Sequence, residues 1–130
     1  MDWAVVSHAG TREVNEDSAG AVETQNIQCF VVADGLGGHG KGDIASKLAV
    51  EAFKKIFHES QESIEETMRS AFGQAQKEIL NEQIRTNLKM QMKTTLVSLA
   101  VTEDSLIWGH IGDTRLYAFS HNRVKTRTLD

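Results

Sequence analysis

A chain of 130 residues, 40% hydrophobic and 25% charged, has room for one domain and one core. Its formal charge of -4 and lack of any basic block exclude the clustered Lys and Arg that nucleic-acid binding needs. No apolar run approaches membrane-spanning length, and Met1-Asp2-Trp3 does not open a signal peptide. The expectation is therefore a cytoplasmic protein with neither nucleic acid nor membrane as partner. The single cysteine, Cys29, lies in an apolar stretch and is expected to be a buried packing residue.

In chain order, Trp3 to His8 is predicted as a first strand and Thr11 to Asp17 as a polar loop. Ser18 to Glu23 and Ile27 to Asp34 are predicted strands around a turn at Thr24-Gln25-Asn26, an antiparallel meander. Two helices follow. The first carries Ile44, Leu48, Ala52, Phe53, Ile56 and Phe57 at helical spacing. The second opens on Ser63-Ile64-Glu65-Glu66, a capping-box pattern, and continues the stripe Ile64, Met68, Ala71, Phe72, Ala75 and Ile79. Asn81 to Lys93 reads as a helix tail and a connection. Thr94 to Thr102 and Leu106 to Ile111 are strands, Arg115 to Phe119 is expected to pair back, and Val124 to Thr126 follows a turn. Strands, two helices, then strands point to an α+β fold with helices packed on an antiparallel sheet.

The stretch Phe30 to Asp43 is the chemical centre of the sequence. An apolar run ends in Asp34, and the glycine-rich turn Gly35-Leu36-Gly37-Gly38-His39-Gly40 lets backbone approach a ligand closely. Three functional readings overlap there. Gly35-x-Gly37-x-x-Gly40 fits a dinucleotide fingerprint, and Gly35 to Lys41 fits most of a phosphate loop. Against both, a second helix follows where a compact βαβ unit needs a strand, and Gly42 stands where a phosphate loop needs Ser or Thr. The third reading is a metal site on Asp34. Glu16, Asp17 and Asp113 add hard oxygen ligands suited to magnesium or manganese, and the Gly35 carbonyl adds a neutral one. Water held between two such cations becomes a nucleophile near neutral pH, and the Arg12 fork suits two phosphate oxygens. Each acid also has a plain reading as a turn or solvated loop residue.

Four blocks resemble the PP2C-type, metal-dependent protein serine/threonine phosphatases, in particular their compact bacterial form. Arg12-Glu13-Val14-Asn15-Glu16-Asp17 resembles the family's Arg-x-x-Asn-Glu-Asp loop. Val32 to His39 resembles its Asp-Gly metal motif. Met92-Lys93-Thr94-Thr95 is similar to its Met-Gly-Thr-Thr segment, and Gly109 to Tyr117 to its Gly-Asp-Ser-Arg hairpin. The resemblance implies two Mn2+ or Mg2+ ions bridged by Asp34, with the Gly35 carbonyl on one and Glu16 on the other. It implies that Asp17 orients a metal-bound water, that Arg12 binds the substrate phosphate, and that Asp113 sits near a third, weaker metal position. Asp34, Arg12 and Asp17 are thus the expected catalytic residues. Phosphoserine and phosphothreonine proteins are the expected substrates, and a cognate Ser/Thr kinase an expected partner. The implied fold is a pair of packed antiparallel sheets with helices outside, in αββα layers.

Lys93 departs from the family's usual glycine, and Leu36 stands where some members carry a histidine proposed as general acid. The family pattern continues past Thr128-Leu129-Asp130, where its two later metal-binding aspartates would fall. Residues 1–130 are therefore expected to be the N-terminal portion of a single phosphatase domain, with little or no activity alone and a tendency to self-associate through uncovered strands. The alternative is a non-catalytic module that binds phosphoproteins or other partners.

Overall fold

The computed structural model describes residues 1–37, 41–88 and 91–130. Two long strands come first, β1 (Asp17–Glu23) and β2 (Gln28–Leu36). Helices α1 (Lys41–Glu59) and α2 (Ile64–Thr86) follow. The chain returns through β3 (Lys93–Thr94), β4 (Leu96–Val101) and β5 (Leu106–Ile111), then β6 (Tyr117–Ser120) and β7 (Arg123–Arg127). The order β1-β2-β4-β5 forms an antiparallel sheet, with β3 added against the end of β2, and β6-β7 is a separate two-stranded sheet. Strand pairing is antiparallel throughout, and β2 is followed by two consecutive helices. No parallel βαβ unit of the dinucleotide type is present among the described residues.

Strand alternation sets the two faces of the large sheet. Cys29, Val31 and Ala33 of β2 point into the core with Leu96 and Ala100 of β4. Helix α1 lies directly on this face: a side chain at Gly20 of β1 would sit 2.9 Å from Val50 Cγ1. That close approach explains which residues of α1 are deepest. The predicted stripe through Ile44, Leu48 and Ile56 is only half-buried, while Ala45, Ala49, Ala52, Phe53 and Phe57 form the seam. Small alanines let the helix settle onto the sheet, and the larger aliphatic residues flank the contact. Phe53 is fully buried, stacked on Phe57 at 5.2 Å and edge-on to Phe72 of α2 at 5.3 Å.

Helix α2 begins as its sequence predicts. Ser63 is the N-cap and its side chain accepts from the Glu66 amide, 3.2 Å away. It ends at Asn87 in the left-handed region, φ 57°, whose amide donates back to Gln83 and Ile84 carbonyls. Met68, Ala71, Ala75 and Ile79 are buried as expected, and Phe72 packs against them half-buried. Cys29 is also buried as expected, with its thiol 3.4 Å from the Ser98 hydroxyl. Burial pushes that thiol up to about 11, the Ser98 contact pulling weakly the other way.

Two expected strands are corrected. Trp3 to His8 forms no strand, because no described strand offers it a backbone ladder. It lies against the outer face of the sheet through side chains instead. The Trp3 ring meets Phe30 edge-on at 5.5 Å and its indole N–H donates to Glu23 at 3.1 Å. The short apolar run Trp3 to Val6 fits that contact as well as it fits a strand. The segment from Arg115 does not pair back on β5 either: the strand begins at Tyr117 and pairs only with β7. A left-handed Gly112, φ 93°, turns the chain away from the sheet before it.

Candidate functional site

The site gathers where β1 starts and β2 ends. Asp17 and Asp34 are direct cross-strand partners in the β1–β2 ladder, which puts their side chains on the same face. Asp34 titrates above the ordinary carboxylate range: first through desolvation, then through its cross-strand partner Asp17, then through the charges of Asp113 and Glu16. Acids from three separate stretches of sequence, Glu16-Asp17, Asp34 and Asp113, are thus brought within electrostatic reach at Asp34.

Glu16 ties the loop to the glycine corner. Its carbonyl accepts from the Gly35 amide at 3.0 Å, and its carboxylate lies against α1 at Gly42. The Oε2 atom is buried there with no hydrogen-bond partner among the described residues, and Asp43 Oδ1 beside Gly42 is in the same state. The packing requires the glycines. A Cβ on Gly35 would sit 2.0 Å from the Gly42 carbonyl oxygen, and one on Gly42 would sit 2.1 Å from Glu16 Oε2.

Asn15 shapes the acidic loop. Its side-chain oxygen accepts from the Asp17 amide at 3.0 Å, and its amide donates to Ser7 at 2.8 Å. Arg12 is exposed on the same loop and makes no salt bridge among the described residues. Its guanidinium is not drawn onto the acids. Asp113 is exposed in the turn after β5. His39 lies outside the described residues. Lys93, the departure from the family pattern, stands opposite Leu36 in the β2–β3 pairing, so the strand forms with lysine there.

Sequence reasoning quoted Thr95 in a motif without giving it a role. In the structure it holds Asp34 in place: the Thr95 amide donates to the Asp34 carbonyl at 2.9 Å, and the Asp34 amide donates to the Thr95 hydroxyl at 3.1 Å. The run of three polar residues after Met92, two of them threonines, was the available signal, since such hydroxyls bond locally to backbone.

The donor set suits a hard divalent cation. Every side chain in it is a carboxylate, one oxygen is buried without a donor, and mutual repulsion disfavours ionisation of Asp34 until positive charge arrives. Among the described residues, no three His, Cys, Asp or Glu side chains are already gathered as a finished cation cage.

The family model for protein phosphatase 2C matches residues 6–128, and the chain belongs to that family. The serine/threonine phosphatase stp of Listeria welshimeri is 33% identical over 128 residues, covering 92% of this chain and 50% of the relative. The solved Mycobacterium tuberculosis serine/threonine phosphatase PstP/Ppp superposes with a TM-score of 0.78 at 25% identity, covering 92% of this chain and 49% of that one. The PstP catalytic domain solved in complex with 2 manganese ions shares the fold, with a TM-score of 0.66 at 22% identity over 88% of this chain and 48% of that one. The chain spans about half the length of the curated relatives it matches. Its α+β architecture of antiparallel sheet and paired helices is that of the family.

Proposed function

We propose that residues 1–130 belong to a single phosphatase domain that hydrolyses phosphoserine and phosphothreonine in proteins with divalent metal ions. One observation carries the reading: Asp17 and Asp34 are cross-strand partners at a strand end, with the charges of Glu16 and Asp113 bearing on the same carboxyl. A group of acids so placed without a basic partner is costly unless it serves a cation. Asp34, the Gly35 carbonyl, Glu16 and Asp17 would hold two Mn2+ or Mg2+ ions, and Asp113 a third, weaker one. When bound, the cations supply positive charge that activates water and neutralises the phosphate.

The chain's own groups do the rest. Asp17, the cross-strand partner of Asp34, would orient the attacking water. Arg12, free to reach outward, offers its planar fork to two phosphate oxygens. The ion set is loosely assembled in this chain alone, as the lack of a formed cage among the described residues supports. We therefore expect little or no turnover by residues 1–130 by themselves. The exposed apolar face of the sheet supports self-association.

The test is manganese-dependent phosphate release from a phosphoserine peptide by the whole protein that carries this chain. Asp34→Asn should abolish it. Near-normal turnover by that variant at saturating manganese would overturn the assignment. Tight phosphopeptide binding without turnover in the unaltered protein would favour a non-catalytic module instead.

A further inference from the structure

We infer that Thr95 is a positioning residue that fixes the turn carrying Asp113 relative to Asp34, and so sets how tightly Asp113 holds the third, weaker ion beside the pair on Asp34. The inference rests on the divalent-ion reading above. Its basis is an irregularity in the ladder. The pairing of β2 keeps the same register against β3 and β4 on either side of Asp34, which makes Asp34 and Thr95 partners. Such partners ordinarily exchange two backbone hydrogen bonds. Here only one is ordinary, from the Thr95 amide to the Asp34 carbonyl. The Asp34 amide donates instead to the Thr95 hydroxyl, and the Thr95 carbonyl accepts from the Thr94 hydroxyl at 2.8 Å.

The substitution of hydroxyl for carbonyl brings the Thr95 side chain to the turn after β5. Its Oγ1 lies 2.5 Å from Thr114 Oγ1. Its methyl packs under Gly112, where an added Cβ would sit 2.7 Å from Thr95 Cγ2. The two branches of one side chain therefore touch the residues on both sides of Asp113. A hydroxyl has one proton and two lone pairs. One lone pair takes the Asp34 amide, and the shortest remaining contact is Thr114. The acid at the end of β2 and the acid in a turn 79 residues later are thus spaced by a single threonine. Thr95 hydrogen-bonds no carboxylate among the described residues, so it acts through backbone placement and not as a ligand.

The test is a Mg2+ titration of the isotope-labelled chain, followed through backbone amide signals. In the unaltered chain, signals of Asp34-Gly35 should move first and those of Gly112-Asp113-Thr114 at higher Mg2+. Thr95→Val keeps the shape and removes the hydroxyl. It should leave the Asp34-Gly35 response in place and shift that of the turn to at least about tenfold higher Mg2+, the usual loss when an outer-shell partner is removed. Thr114→Val, which leaves the β2 contact untouched, should give the same shift of the turn, and Thr95→Ser should restore the unaltered response. A turn that responds normally in Thr95→Val or Thr114→Val overturns the inference. Silence of Asp34-Gly35 and of the turn alike in the unaltered chain would instead overturn the divalent-ion reading beneath it.

Discussion

Asp17 and Asp34 oppose each other across the β1–β2 ladder. Burial, and then Asp17 and the other nearby acids, hold the Asp34 carboxyl above its ordinary value, so the folded chain retains a proton that the unfolded chain gives up. Stability should then fall as pH rises from the ordinary carboxylate value through the raised value of Asp34, because the native state binds more protons there. Asp130 works in the opposite sense: Arg115 holds it low, and that contribution is lost as pH falls. Comparing Asp34→Asn with the unaltered chain cancels Asp130. Denaturant melts without metal should show the variant gaining relative stability as pH rises above the ordinary carboxylate value. A difference that stays constant as pH rises would contradict the raised Asp34.

The glycine corner leaves no room for a side chain. Gly35→Ala or Gly42→Ala must push apart backbone, or displace the Glu16 carboxylate. Each should cost at least about 1–3 kcal/mol, the usual range for overpacking. Urea denaturation measures it, with Gly73→Ala as the control, since nothing lies within 4 Å of a Cβ there.

Arg12 stands free of the acids on an exposed loop. In the whole protein, Arg12→Ala should raise KM more than it lowers kcat, the pattern of lost ground-state phosphate binding. A fall in kcat at unchanged KM would move Arg12 into the transition state.

Phe53 is the keystone of the contact between α1 and α2. Phe53→Ala leaves a void between Phe57 and Phe72 and should destabilise the chain by about 3–5 kcal/mol in chemical denaturation.

The outer face of the large sheet carries Val32 and Trp108, 42% and 43% exposed, with Leu106 beyond them. Sedimentation should show concentration-dependent association of the chain, and Val32→Glu should suppress it. A monomer at all concentrations would remove the basis for expecting self-association.

How far the sequence disclosed this arrangement depended on the range of the interaction. The caps and stripe of α2 were legible because Ser63, Glu66 and the apolar residues act within a few turns of one helix. The acid end of β2 was legible because Asp34 directly precedes glycine. Trp3 to His8 misled, since a short apolar run calls for burial but does not specify a pairing partner. Ala45 and Ala49 were undervalued in α1 because depth there is set by how closely β1 approaches. Thr95 showed only the residue type, for its task depends on a register between β2 and β4 across 61 positions.

The sealed thiol has a practical bearing on all these measurements. Cys29 is 2% exposed, and burial keeps it protonated far above neutral pH. Since the thiolate is the reactive form, oxidants and alkylating dyes should pass it by while the fold is intact. A fluorophore or spin label can therefore be installed at any introduced surface cysteine with the native one left in place. Sudden reactivity of Cys29 then becomes a chemical clock for opening of the sheet.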